Sequence, residues 1–269
     1  MAAQFKFTSG INLVMITCSI VLSVPVYTMA QKADSVFITS KDLNTSVLRE
    51  GTHRYLVYFR MKPGATRTNV SFWTRKIERS SYQGRQAIVI TQEWEDKDTI
   101  MHTVRSVSDA RTMAPLYHEY WWKQRLEAKF DFLKKTGEMN GTVLTASDTA
   151  RIRKMSYDAF TASLPLEKFN WHIDLETFPL LPFREGVTFV IPFFDPGPSA
   201  LTNAVYTVTG SAKLKGYDDQ LVDCWLLAHE TPGNKEVFWI SKKTREVLQL
   251  VQEVNGSMWR YKIKLGFSE

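Results

Sequence analysis

The sequence predicts a mainly β fold, a single antiparallel sheet with a few short helices. Three observations carry this. Apolar and polar residues alternate with period two in at least nine segments, the pattern of strands that bury one face. The spacers between them hold Gly, Asn, Asp and Pro, which supply the backbone conformations of tight turns. Helical candidates are confined to two short stretches, 156–163 and 170–178. At 269 residues, 44% hydrophobic and 23% charged, the composition is that of a globular protein. It excludes a disordered chain, a collagen and a disulfide-rich miniprotein.

In chain order, residues 1–30 read as a cleaved signal peptide rather than as part of the fold. They carry one charge, Lys6, then an apolar run from Ile11 to Val24 that Pro25 ends. Thr28 and Ala30 place small residues at positions −3 and −1, so cleavage is expected between Ala30 and Gln31. The run of 14 residues is shorter than the roughly 20 a spanning helix needs. The alternatives are an uncleaved anchor and lipidation at Cys18. The latter suits small residues before the cysteine, whereas Met15-Ile16-Thr17 stands there. Residues 31–269 are then one β-rich domain, exported to the periplasm or secreted, and not an integral membrane protein.

The first strands are Tyr55 to Met61, Asn69 to Ile77, Gln86 to Trp94 after a turn at Gln83-Gly84, and Thr99 to Val107. Arg125 to Phe132 alternates charged and apolar residues without a break, which favours a strand over the competing helical spacing of Trp122, Leu126, Phe130 and Leu133. Six prolines between 165 and 198 mark irregular connections, because proline cannot donate to a sheet ladder. Five further strands follow: Val205 to Leu214, Gln220 to His229, Lys235 to Ser241, Glu246 to Val254 and Ser257 to Leu265. No Gly/Ser linker divides the two strand-rich halves, so one continuous sheet through both is the economical solution.

Sites of chemistry are sparse. There is no phosphate-binding glycine loop, no Gly-x-Ser-x-Gly, no His-Glu-x-x-His and no Cys-x-x-Cys. Five dispersed histidines form no local chelate, so no metal and no cofactor is expected. His172, Asp174 and Glu176 could form an acid–base set on one face; the plainer reading is a polar face with Trp171, Ile173 and Leu175 packed opposite. Cys224 lies in an apolar run and reads as a buried thiol. The formal charge, +6 for the whole chain and +5 once Lys6 is removed, is scattered, and Lys242-Lys243-Thr244-Arg245 reads as a solvated turn. No nucleic-acid partner is expected.

Several phrases resemble a bacterial family of exported proteins of unknown function: Asp109 to Pro115, Phe169 to Pro182, Ile191 to Gly197, Tyr206 to Gly210, Val222 to Trp225 and Val237 to Leu248. The last resembles a hairpin of periplasmic lipoprotein-carrier-like sheets. The resemblance implies a strongly curved half-barrel with an apolar concave face closed by short helices, and no catalytic residue. The expected function is therefore a non-enzymatic binding or carrier module of the cell envelope for a lipidic or apolar ligand. The alternative is a structural or assembly protein that binds another envelope protein. Trp73, Trp94, Trp225 and Trp239 are the expected ligand-binding residues. Counting along the strands puts Trp73 on a face with Arg75 and Ile77, and Trp94 with Ile88, Ile90 and Gln92.

Overall fold

The computed structural model describes residues 34–267. The expected signal peptide, with Cys18, Ala30 and Gln31, lies outside the described residues. The first half of the chain supplies β1 (Ser35–Phe37), β2 (Gly51–Arg60), β3 (Thr68–Tyr82), β4 (Arg85–Asp96) and β5 (Thr99–Asp109), then β6 (Pro115–Trp122), β7 (Leu126–Asp131), β8 (Thr136–Met139) and β9 (Thr142–Val143). A crossover comes next: helix α1 (Arg151–Ser163), β10 (Phe169–Asn170) and the one-turn helix α2 (Asp174–Thr177), which 3-10 turns flank on both sides. The second half supplies β11 (Thr188–Phe194), β12 (Thr202–Lys215), β13 (Leu221–Thr231), β14 (Asn234–Ser241), β15 (Val247–Val254) and β16 (Met258–Lys264).

All sixteen strands join one sheet in the order β1-β11-β12-β13-β14-β15-β16-β2-β3-β4-β5-β6-β7-β8-β9, with β10 beside β11. The sheet is curved and unclosed, and helix accounts for only 12% of residues, so the mainly β reading holds. The halves meet where β16 pairs antiparallel with β2, and Tyr58 stacks on Tyr261 across that seam. Every strand expected from alternation is present. Two-residue turns join β3 to β4, β4 to β5, β8 to β9 and β13 to β14. Gln83-Gly84 and Asn140-Gly141 have φ > 0 at both positions, the twist that matches the strands they connect.

Three expectations are corrected. Pro192 lies inside β11, a strand paired on both sides. Thr188 N donates to Asp34 O and Ile38 N donates to Val190 O, so even-numbered residues of β11 turn their main-chain groups toward β1. Pro192 shares that phase and faces the interval between the end of β1 and the start of β10, where no donor is required. Helix α1 begins at Arg151, five residues before the expected start. Its first turn has exposed Ile152 and Met155 and no side-chain cap, so no apolar face announces it. The turn after β14 is only partly solvated: Arg245 is half-buried and donates to Pro179 O at 3.1 Å and Leu181 O at 2.5 Å.

The crossover segment 169–181 lies in the concavity. Phe178 is fully buried and packs edge-on or tilted against Phe193, Tyr206 and Phe238. Ile173, Leu175, Leu180 and Leu181 join the same core as the inward residues of β2–β4 and β11–β15. The chain thus fills much of its own half-barrel. Helix α1 covers a second core, where Phe160 meets Phe130 and Phe132.

Candidate functional site

Beside this plug a cavity of about 380 Å³ remains open. One wall comes from the sheet: Trp73 and Arg75 of β3, Gln92 and Trp94 of β4, and Arg260 and Lys262 of β16. The other comes from the crossover and the turn after β11: Trp171, His172, Asp174 and Asp195. Strand register assembles the first wall. Trp73 lies opposite Trp94, and Arg75 opposite Gln92. The two indoles stack with centroids 3.7 Å apart and planes 4° from parallel.

Arg75 ties the walls together. Its Nε and Nη2 donate to the two carboxylate oxygens of Glu176 at 2.7 and 2.5 Å, and Nη2 also reaches His172 O at 2.9 Å. Burial alone would lower the Arg75 pKa, but the Glu176 carboxylate outweighs it and the net shift is upward. Gln92 Nε2 donates to the same His172 carbonyl at 2.5 Å. Such a bidentate, desolvated pair fixes the plug against the sheet.

The inner face of β16 carries Arg260, Lys262 and Lys264, while Trp259, Tyr261 and Ile263 alternate with them. Lys264 pairs with Glu246 at 3.2 Å. Burial acts to raise the Glu246 pKa, yet His53, Lys264 and Thr244 together hold it down at about 2. Arg260 lies 3.8 Å from Glu236, and its Nε has no hydrogen-bond partner. Lys262 is 4% exposed. It makes no hydrogen bond or ion pair with a described residue, and its Nζ sits over the Trp73 ring at 4.2 Å. Burial pushes its pKa down to about 7, although Asp174 acts in the opposite sense.

Behind Trp94 three histidines cluster. His102 stacks on Trp122 with centroids 3.9 Å apart, and His118 and His172 lie 4.5 Å apart. His118 Nδ1 meets Ser106 Oγ and Asn170 Nδ2, each at 2.9 Å. Burial lowers the pKa of His102 to about 4 and that of His118 well below its usual value. His172 Nε2 lies 2.9 Å from Asp195. Among the described residues no three His, Cys, Asp or Glu side chains are arranged to hold a metal ion.

Of the four tryptophans singled out from sequence, the structure brings Trp73 and Trp94 together and sets the other two apart. Trp225 stacks on Phe183 under Lys242, and Trp239 packs with Val222, Cys224 and Leu248 on the opposite face. Asp174 and Glu176 both face the sheet wall, with Ile173 and Leu175 buried behind them. The inward basic row of β16 escapes sequence reasoning, because alternation alone puts charges outward. His118 escapes it because β6 presents aromatic residues on both faces.

The model of the protein family of unknown function DUF3108 matches residues 54–264, which include every cavity residue named above. The chain belongs to the DUF3108 family. That family's description assigns no activity, so the DUF3108 site must be read from its geometry. A crystal structure of a β-barrel-like protein of the domain of unknown function DUF1849 from Brucella abortus is similar at 8% identity. The similarity covers 80% of the DUF3108 chain and 97% of the other, with a TM-score of 0.40. No curated protein sequence matches this chain. Among the described residues no helix is long and apolar enough to cross a membrane.

Proposed function

We propose that the protein is an exported, non-enzymatic binding module of the cell envelope whose cavity takes an amphipathic, lipid-like molecule. The observation that supports this most is the stacked Trp73–Trp94 pair on the wall of an open cavity about 380 Å³ in volume, within the size range of small-molecule sites. Aromatic faces offer a large apolar contact at low entropic cost. Export rests on the apolar run and small residues before Gln31. N-terminal sequencing of the exported protein is expected to begin at Gln31; an acylated Cys18 would make it a lipoprotein.

Binding is tested by titrating the protein with a long-chain fatty acid while tryptophan emission is followed. A saturable change in the micromolar range is expected. Trp94→Ala should weaken it about tenfold or more, because the variant removes half of the stacked wall. No saturable change in the wild-type protein would overturn the reading and favour an envelope-assembly role instead.

A further inference from the structure

The cavity wall formed by β16 has unused hydrogen-bond donors, and their chemistry narrows what can bind. Lys262 is 4% exposed, lines the cavity and has no hydrogen-bond or ion-pair partner among the described residues. Arg260, two residues earlier on the same face, leaves its buried Nε unpartnered. Arg75 turns Nε and Nη2 to Glu176 and His172, and Nη1 makes no hydrogen bond with a described residue. Buried cations normally have their donors satisfied, because desolvation without compensation costs several kcal/mol.

The carboxylates nearby are largely committed. Glu176 is bidentate to Arg75, and Asp195 pairs with His172. Burial raises the pKa of Glu236, against the opposing pull of Arg260, which weakens it as a counter-ion. Asp174 accepts from Leu175 N at 2.7 Å and lies 3.9 Å from Arg75. It also acts through space on Arg260 and Lys262 but makes no hydrogen bond to either, so their donors stay open to an acceptor.

We infer that the cavity recognises an amphiphile with an anionic head, its carboxylate, phosphate or sulfate oxygens accepting from Lys262 and Arg260 and its apolar body lying along Trp94 and Trp171. This rests on the binding role proposed above and adds the charge of the ligand to it. The Lys262 ammonium lying over the Trp73 face fits the same picture, since the ring holds the cation in place without consuming its donors.

Calorimetric titration of the folded full domain with dodecanoate, dodecanol and acetate separates the possibilities, with Lys262→Met measured in parallel. Dodecanoate is expected to bind at least tenfold more tightly than dodecanol and far more tightly than acetate. Lys262→Met should lose about tenfold or more of the preference for dodecanoate over dodecanol, and its circular dichroism spectrum and cooperative urea unfolding show that the variant is folded. Equal affinity for dodecanoate and dodecanol would overturn the anionic head while leaving a lipid-binding role intact. Acetate binding as tightly as dodecanoate would overturn the amphiphile in favour of a free small anion. No binding of any of the three would overturn both this inference and the function it rests on.

Discussion

Arg75 is the residue on which the site turns. It is buried on a β-strand, and Glu176 is its counter-ion 101 positions away. Glu176→Gln removes that counter-charge and leaves a guanidinium in the core, so unfolding in urea should show a loss of about 3–5 kcal/mol. The buried histidines make a second expectation. Their pKa values are held below the ordinary 6.5 by burial, His102 at about 4 and His118 further down. The unfolded chain therefore binds more protons between pH 6.5 and about 4, and stability present above 6.5 is lost as pH falls through that window. Each histidine contributes at most about 1.4 kcal/mol per pH unit. Thermal unfolding followed from pH 7 to pH 4 should show a steep fall in Tm, and His102→Phe should flatten it. At this scale Trp73, Arg75, Gln92 and Trp94 were legible, because period-two counting needs only the strand. Arg260 and Lys262 were not: their inward orientation is set by the seam between β16 and β2, a contact between residues about 200 positions apart that alternation does not encode.

The decisive element is the crossover between the halves. Prolines 165, 179 and 182 keep it irregular, and Phe169, Phe178, Leu180 and Leu181 make it the filling of the concavity. Phe178→Ala should cost about 3–5 kcal/mol by denaturant unfolding, since three aromatic neighbours cannot all collapse into the space. Arg245 clamps the far end of the same segment through two carbonyls. The hairpins could be read from the sequence because alternation and turn residues are local signals. Strand β11 could not, because Pro192 is tolerated only by the gap between two short neighbours that are distant in sequence. The sequence predicts the plug as a short helix with a polar face. That the face would close on Arg75 depends on sheet curvature, which is a property of the assembled strands.

For the whole molecule, one unclosed sheet curves around its own crossover and keeps a polar-rimmed aromatic cavity where a barrel interior would otherwise be. A lining of buried cations is a poor choice for stability alone, since apolar side chains of similar size fit such positions at no electrostatic cost. Lys262→Met is accordingly expected to raise stability at neutral pH by about 1–3 kcal/mol while weakening anionic ligands, the trade expected of a residue kept for binding. The DUF3108 match runs from residue 54 to 264 and takes in every strand of the sheet except β1 and the first residues of β2. The most direct test of a ligand-holding cavity is mass spectrometry of small molecules that remain with the protein when it is purified from its own cells without detergent. One anionic amphiphile per chain, lost in Lys262→Met, is the expected result. A bare wild-type protein that also gives no saturable titration with long-chain fatty acid would contradict the account.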